Sequence, residues 1–176
     1  LVLIIAFSPV WLIGFMLIFL IQGNSLFYIQ YRSGINMKGF KLYKIRTLVD
    51  STSNDLSLSN RSFTYMGKWL RHMSIDELPQ LYNVLKGDMS LVGPRPLPVE
   101  YGTRYNHYQE KRFTCKPGLT GWAQINGRNK ISWEKRFEMD YWYVNHISFL
   151  LDLKILFHTL IRIFDKSQQV EMPVFT

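Results

Sequence analysis

The strongest constraint on this chain is that no charged residue precedes Arg32 and that residues 1–21 are almost all apolar. At 1.5 Å per residue, a straight helix of this length would be roughly 30 Å long, which is the thickness of the hydrocarbon core of a bilayer. A cleaved signal peptide fits less well, because the apolar run is too long and no small-residue cleavage site follows it. The sequence therefore predicts an N-terminal segment embedded in a membrane.

The apolar run is interrupted by Ser8 and Pro9. Pro9 has no N–H to donate to the carbonyl of Ile5, and its ring crowds the same turn. The proline also pushes Ser8 away from helical backbone geometry. We expect a kink here, and the residues themselves leave two options open. A kinked helix that spans the bilayer is slightly favoured, and the other option is a chain that turns back to the side from which it entered.

The charge balance is basic, with 21 Lys and Arg against 13 Asp and Glu, although 47% of the residues are hydrophobic. This combination suits a protein that sits on an anionic surface and also binds an anionic ligand. Because basic residues follow the apolar run closely, the rest of the chain is expected on the cytoplasmic side. Nucleic acid is not expected as a partner, since the basic residues are scattered among apolar ones and form no known nucleic-acid-binding motif.

Metal sites built on cysteine or histidine are not predicted. A single cysteine, Cys115, excludes an internal disulfide and a cysteine-based zinc site. The histidines lack the spacing of metal ligands, so we interpret them as structural or surface residues; they are His72, His107, His146 and His158.

With 176 residues, the chain is long enough for one domain with its own core. The last predicted helix is apolar on most of its circumference, so it lies either in the core or partly in a membrane interface. Glycine-punctuated and polar stretches predict loops at 116–129 and 50–60, and Gly87 stands where a helix C-cap is expected. We predict an α+β fold that is mostly helical, with at most a few short strands. The predicted helices are 66–72, 79–86, 99–112, 132–145 and 148–164.

The densest group of reactive residue types surrounds the adjacent acids Asp76 and Glu77. One interpretation is structural, because Ser74 and Glu77 have the spacing of a capping box at a helix start. The other is chemical, because adjacent carboxylates point in different directions, so that one can attack while the other assists or holds a metal. Arg71 lies just upstream, and Arg95 stands between two prolines that stiffen its backbone, so both are candidates to bind phosphate.

The run SIDELPQLYNVLKGDMSLVGPRPL, residues 74–97, resembles the signature of the bacterial sugar transferase family, the monotopic polyprenol-phosphate phosphoglycosyl transferases. Residues 39–50, 116–129 and 131–155 resemble other parts of the same family, so nearly the whole chain is covered. The likeness is greatest to minimal members that consist of the catalytic domain alone. One departure is Arg32-Ser33-Gly34, where the family often has Arg-Pro-Gly.

The resemblance implies transfer of a phosphosugar from a UDP-sugar to polyprenol phosphate, with release of UMP. It makes Asp76 the nucleophile and Glu77 its partner, with Mg²⁺ as the cofactor and both acids as candidate ligands. It also implies that Arg71, Arg95 and Asp152 bind substrate. The basic residues Lys44 and Arg46 would bind phosphate or anionic lipid head groups, and both options stay open. The donor sugar is expected to be N-acetylated only by analogy with the family.

The resemblance further implies that the Ser8-Pro9 break makes a re-entrant membrane helix, which overturns the preference for a spanning one. Residues 1–31 would then be the membrane-embedded part and residues 32–176 the catalytic domain, on the cytoplasmic face of the bacterial inner membrane.

Two alternatives were weighed against this interpretation. A membrane-bound glycosyltransferase that releases UDP commonly uses an Asp-x-Asp motif, and none occurs in the sequence. A basic, membrane-anchored module that binds nucleic acid or anionic lipid without enzymatic activity fits the charge, but the basic residues are scattered among apolar ones and form no known nucleic-acid-binding motif.

Overall fold

The computed structural model describes residues 26–48, 64, 67–127 and 131–163. The expected membrane segment with Ser8 and Pro9, and the expected loop at 50–60, lie outside these residues. Within the described ranges, no helix has both the length and the hydropathy needed to cross a bilayer.

The described chain begins with an antiparallel hairpin of two strands, β1 (Phe27–Ser33) and β2 (Gly39–Ile45). Successive side chains of a strand point to opposite faces. Phe40 and Leu42 of β2 are buried, so the same alternation turns Lys44 toward the interior of the protein. The hairpin therefore brings a cation into the domain from a strand that is otherwise held by apolar packing.

Helices dominate the rest of the described chain, and the predicted α+β class is confirmed for these residues. The helices predicted at 66–72, 79–86, 132–145 and 148–164 agree with the structure to within about one residue at each end. Gly87 has the left-handed φ of 90° expected of a C-cap. The helices are α1 (Gly67–His72), α2 (Gln80–Lys86), α3 (His107–Glu110), α4 (Trp122–Asn126), α5 (Trp133–Asn145) and α6 (Phe149–Ile163).

The prediction of one helix at 99–112 is wrong, because the backbone is extended near its centre. A 3₁₀ helix (Val99–Arg104) ends at Tyr105, whose backbone is extended and whose ring is buried in an aromatic cluster. Asn106 then starts α3 with a capping box, in which its side chain and that of Gln109 each accept a backbone N–H of the other. Burial of the Tyr105 ring and the new cap outweigh the helix propensity of the segment.

The prediction of a loop at 116–129 is also wrong, because the stretch contains strand β4 (Gly118–Thr120) and helix α4. β4 pairs in parallel with β3 (Ser90–Val92). The two backbones approach closely just beyond this pair, where a Cβ on Gly121 would lie 2.1 Å from the carbonyl oxygen of Gly93. Because the backbone of Gly121 is extended, glycine is needed here for space.

The segment 75–97 holds the domain together, because it contributes to each of four hydrophobic clusters. These clusters lie against the hairpin, α1, α5 and α6, so the segment is fixed from several directions. Its contributing residues are Ile75, Met89, Val92 and Leu97, which pack with Leu70, Phe40, Ile155 and Phe137, respectively.

Helix α6 is apolar on two sides, which accounts for the pattern predicted at 148–164. One side is packed in the core, where Ile155 is fully buried. The other side exposes large apolar residues, with Phe149 at 76% and Leu150 at 77% relative exposure. Lys154 borders this exposed side and lies over the ring of Trp122 at 5.8 Å. The exposed apolar residues of α6 are Phe149, Leu150, Leu153, Phe157, Leu160 and Ile161.

The close approach at Gly121 predicts a cost for adding a methyl group. Gly121→Ala should lower the free energy of unfolding by roughly 1–3 kcal/mol, because a buried backbone oxygen has to move. Gly102→Ala is the control, since a Cβ at Gly102 meets nothing within 4 Å. Chemical denaturation of the detergent-solubilised protein measures both, and equal stability of the two variants would contradict the packing described.

Candidate active site

The acid pair lies on a 3₁₀ turn, Ile75–Glu77, between α1 and α2. The capping box predicted for Ser74 and Glu77 is wrong. Ser74 has a left-handed φ of 54° and its side chain makes no capping hydrogen bond. Two cations bind the Glu77 carboxylate instead, so the turn serves to present the two acids.

Glu77 is the centre of an ion-pair network. Its Oε1 accepts a hydrogen bond from Lys44 Nζ at 2.7 Å and another from Arg95 Nη2 at 2.7 Å. Burial by itself would raise the pKa of Glu77, but the charges of Arg95 and Lys44 outweigh burial and hold this pKa well below its usual range. Glu77 is therefore ionised at any physiological pH and is a poor proton acceptor.

The two cations differ in how the site affects them. Burial lowers the pKa of Lys44, although the charge of Glu77 opposes this effect. The charge of Glu77 raises the pKa of Arg95. The Glu77 carboxylate favours the charged form of both side chains, since an ion pair that is largely removed from water needs its partner.

Asp76 is in a different state from its neighbour. It is 8% exposed, and the described residues give it no ion-pair partner within 4 Å. Burial, followed by the negative charge of Glu77, raises the pKa of Asp76 to about 6, while Lys44, Arg71 and Arg95 oppose the rise. Two adjacent carboxylates thus have pKa values that are pushed apart, a pattern typical of acids with separate chemical roles.

Arg71 is oriented by a residue to which the sequence analysis gave no role. Its Nε donates a hydrogen bond to the buried hydroxyl oxygen of Thr47 at 2.8 Å. Arg71 is also one of the cations whose charge lowers the pKa of Asp76. Thr47 follows Arg46 directly, within the stretch 39–50 that resembles the family, and that position is the signal that could have identified it.

The structure does not bring every predicted residue to the acid pair. Lys44 and Arg95 contact Glu77, and Arg71 acts on Asp76 through its charge. The backbone N–H of Arg46 bonds to the carbonyl of Leu26 at the end of the hairpin.

Asp152, on α6, accepts a hydrogen bond from the hydroxyl of Tyr143 at 2.8 Å. It lines an open cleft of about 370 Å³ between α6 and the β3 region. The walls of this cleft are mostly apolar, and Lys116 lies at it as well. The described contacts of Asp152 include none with Glu77, Lys44 or Arg95.

The backbone of Arg95 is held by a buried ion pair that the sequence analysis missed. Arg112 Nη2 donates to the carbonyl oxygen of Arg95 at 2.5 Å and lies 3.0 Å from Oδ2 of Asp140. Arg112 lies outside the stretches that resemble the family, and Asp140 lies within the stretch 131–155, where nothing in the sequence pairs it with Arg112.

Comparison with known proteins assigns this site to a family. The sequence profile described as bacterial sugar transferase matches residues 1–166. The chain belongs to the bacterial sugar transferase family. The resemblance predicted from the sequence is confirmed, while the roles of the individual residues stay predictions.

Relatives in this family show high similarity to the chain. The uncharacterized sugar transferase EpsL of Bacillus subtilis is 55% identical over 136 residues, covering 76% of this chain and 67% of EpsL. The undecaprenyl-phosphate galactose phosphotransferase of Salmonella typhimurium is 37% identical over 157 residues, covering 78% and 33% of the two chains. The UDP-glucose:undecaprenyl-phosphate glucose-1-phosphate transferase of Xanthomonas campestris is 36% identical over 159 residues, which cover 80% of this chain and 32% of the Xanthomonas protein.

This bacterial sugar transferase chain therefore spans about a third of the length of the Salmonella and Xanthomonas relatives. The similarity includes both halves of the described domain, because the family profile extends from the first residue past the end of α6.

The raised pKa of Asp76 predicts that its charge destabilises the folded protein at neutral pH. Asp76→Asn should raise the free energy of unfolding at pH 7.5 by on the order of 2 kcal/mol, because Asp76 is ionised in both states at this pH and the folded state, with the higher pKa, accommodates the charge less well than water does. The gain should disappear below about pH 4, where both states are protonated. Denaturation curves across this pH range measure the effect.

The control for this measurement is Glu138→Gln, which neutralises an exposed acid paired with Lys135 on α5. It should show no comparable change at any pH. A loss of stability in Asp76→Asn at pH 7.5 would mean that the Asp76 carboxylate is stabilised by its surroundings, contrary to the electrostatics described.

Proposed function

We propose that this bacterial sugar transferase moves a phosphosugar from a UDP-sugar to polyprenol phosphate, releasing UMP and forming a polyprenol diphosphate sugar. Two relatives are named for transfer of this kind to undecaprenyl phosphate, with galactose and with glucose-1-phosphate. The observation that carries the proposal is the acid pair, in which a buried Asp76, with no ion-pair partner among the described residues, stands beside a Glu77 held by two cations. The reaction would be the first membrane step in the assembly of a glycoconjugate such as lipopolysaccharide or exopolysaccharide.

Asp76 is the better nucleophile of the two acids. A carboxylate with a pKa near 6 is still mostly ionised at pH 7.5, and its higher basicity makes it more nucleophilic than an ordinary aspartate. Glu77 has a strongly lowered pKa and both of its cations on one oxygen, so it would attack poorly. Its role is to hold Lys44 and Arg95 beside the reacting group.

The reaction then proceeds in two displacements at one residue. A carboxylate oxygen of Asp76 attacks the β-phosphorus of the UDP-sugar, and the bond from that phosphorus to the bridging oxygen breaks with release of UMP. The phosphosugar is left on Asp76 as an acyl phosphate. An anionic oxygen of polyprenol phosphate then attacks the same phosphorus and frees Asp76. No proton has to move in either step, which agrees with the absence of a basic role for Glu77.

Charge neutralisation is the main task left to the protein. Phosphoryl transfer is accelerated mostly by positioning and by stabilising charge on the phosphoryl oxygens. Arg95 is the strongest candidate, because its backbone is rigid and its guanidinium already lies at the acid pair. Arg71 and Lys44 supply further positive charge around Asp76. Arg46, and Asp152 at the cleft beside α6, are proposed to bind more distant parts of the substrates or the membrane surface.

Mg²⁺ fits these residues if substrate oxygens complete its coordination. Magnesium in enzymes is usually bound by one or two carboxylates together with substrate phosphates and waters. Asp76 and Glu77 would be the protein ligands, and the described residues contain no group of three acidic, histidine or cysteine side chains that could hold a metal by itself. The raised pKa of Asp76 supports this fit, since a nearby cation would favour the ionised carboxylate. Bound Mg²⁺ would neutralise charge on the diphosphate.

The exposed apolar side of α6 suits a protein whose acceptor is a membrane lipid. Helices with an apolar side and a basic border lie in membrane interfaces, with the apolar side among the acyl chains. We assign this side of α6 to the cytoplasmic surface of the inner membrane, where Lys154 and the net charge of +8 favour anionic lipids. The apolar run at residues 1–21 would enter the same membrane as a re-entrant segment.

The covalent step predicts an adduct in the absence of any acceptor lipid. When the full chain is mixed with Mg²⁺ and a UDP-sugar, intact-protein mass spectrometry should find a mass gain equal to one phosphosugar, together with UMP. Asp76→Asn should show neither, because the amide cannot form the acyl phosphate. Glu138→Gln is the control, since Glu138 is exposed and pairs with Lys135 on α5, and it should retain the adduct. A series of UDP-hexoses and their N-acetylated derivatives identifies the sugar.

Each contrary outcome selects a different reaction. Release of UDP in place of UMP would indicate a glycosyltransferase. An active Asp76→Asn without any adduct in the wild type would indicate a single direct displacement between the two substrates. Salt-sensitive binding to vesicles, without release of nucleotide from any donor, would leave only a membrane-anchored binding module.

The pKa of Asp76 also predicts the pH dependence of the first displacement. Its rate constant at subsaturating UDP-sugar and Mg²⁺ should fall about tenfold per pH unit below pH 6, because the protonated carboxyl group does not attack. Measuring the burst of UMP without acceptor excludes the ionisation of polyprenol phosphate as a cause. A rate that stays constant down to about pH 4 would show that an acid with an ordinary pKa limits the reaction.

A further inference from the structure

The buried pair of Arg112 and Asp140 is the strongest unexplained feature outside the acid pair. Their side chains are only 4% and 5% exposed, and Nη2 of Arg112 lies 3.0 Å from Oδ2 of Asp140. Arg112 belongs to a short 3₁₀ helix (Lys111–Thr114), and Asp140 lies in the middle of α5. The guanidinium of Arg112 is 5.3 Å from the ring centre of Phe137 and 5.6 Å from that of Phe113, so it is confined between aromatic rings.

Stability does not explain why this pair is present. Removing two charges from water costs free energy that their attraction only partly offsets, and apolar residues in their place are often as stable or more so. The pKa of Asp140 is raised to about 6 by burial, even though Arg112 and Arg136 both oppose the rise. The site therefore does not fully compensate the charge of Asp140. The presence of the pair is better explained by the backbone group that Arg112 binds.

The pair holds the backbone of a charged site residue, Arg95, and other groups hold the backbone of the residues on either side of it. Arg112 Nη2 donates to the carbonyl oxygen of Arg95 at 2.5 Å. The carbonyl oxygen of Pro94 accepts a bond from the backbone of Gly118 at 2.9 Å, and that of Pro96 accepts one from Arg32 Nη1 at 3.2 Å. With both neighbours prolines, little backbone freedom is left to Arg95.

The position of the Arg95 backbone determines how the guanidinium of Arg95 meets the acid pair. Arg95 Nη2 reaches Oε1 of Glu77 at 2.7 Å, so a shift of the Arg95 backbone changes where the guanidinium meets the carboxylate. A guanidinium binds oxygen anions through a fixed planar array of donors, and its orientation matters as much as its charge.

We propose that Arg112, locked by Asp140, is a positioning residue that sets the guanidinium of Arg95 against Glu77 and toward the transferred phosphate. It touches no reacting atom and acts only through the backbone of Arg95. Asp140 fixes the orientation of Arg112, so α5 is coupled to the acid pair through the backbone of Arg95. This inference rests on the proposed function in taking Arg95 as a phosphate-binding residue.

The test replaces both partners at once. Arg112→Met/Asp140→Leu removes both charges of the pair together, while Arg136, whose charge also acts on Asp140, stays in place, so a thermal melt first shows that the variant is folded. The rate of UMP release at saturating UDP-sugar should nevertheless fall roughly 100-fold, because a misplacement of about 1 Å in a positioning group costs this much. The KM for UDP-sugar should change far less, since Arg95 is proposed to act on the transferred group. Lys135→Gln/Glu138→Gln, an exposed pair on the same helix, is the control and should leave the rate unchanged.

A double-mutant cycle separates positioning from other effects. In an Arg95→Ala background, adding Arg112→Met/Asp140→Leu should cause no further loss, because the residue through which Arg112 acts is gone. Independent, multiplicative losses would overturn the proposal, and so would full activity of the paired replacement.

A readout without catalysis distinguishes failure of this proposal from failure of the proposed function. Peptide mapping after treatment with phenylglyoxal measures the reactivity of Arg95, whose side chain is 28% exposed in the network. Arg95 should react several times faster in Arg112→Met/Asp140→Leu than in the wild type or the Lys135/Glu138 control. Unchanged reactivity would overturn the positioning role, whether or not the wild type releases UMP. Faster reactivity in a protein that releases no nucleotide would retain the positioning role and reject only the proposed function.

Discussion

Oxygen Oε1 of Glu77 is the point on which the rest of the site depends. Lys44 comes from the hairpin and Arg95 from the segment after β3, and both meet this one oxygen at 2.7 Å. Without the carboxylate, two largely buried cations would repel each other across the site. The network therefore fixes three pieces of backbone at once, and it does so with charges that a phosphorylated substrate can also use.

The same network gives Asp76 its properties. Since Lys44 and Arg95 bind Glu77, they reach Asp76 only through space, and burial together with the charge of Glu77 raises the pKa of Asp76. One acid is thus kept ionised and structural while its neighbour is left basic and poorly compensated. This destabilising arrangement persists because four hydrophobic clusters hold the segment 75–97 that carries it.

The sequence predicted much of this protein, for reasons that can be traced to particular residues. Helices α1, α2, α5 and α6 have apolar periodicity and end signals such as Gly87, which act locally and need no tertiary context. The prediction of a helix at 99–112 is wrong because burial of Tyr105 interrupts the helix. The prediction of a loop at 116–129 is wrong because β4 is stabilised by pairing with β3, which is distant in the sequence. The capping box considered for Ser74 and Glu77 does not form, because cations from other elements bind the side chain of Glu77.

What the sequence by itself determined is the family, the acid pair and the identity of the nearby cations, because these are carried by a contiguous block whose residue types are specific to one chemistry. Only the tertiary structure decided which contacts and which charge state each of these residues has. It gave Glu77 both cations, left Asp76 with a raised pKa, oriented Arg71 through Thr47, and tied Arg95 to the remote pair of Arg112 and Asp140. The reason is physical: burial and charge act over distances in space, and residues such as Arg95 and Asp140 become neighbours only when the chain folds.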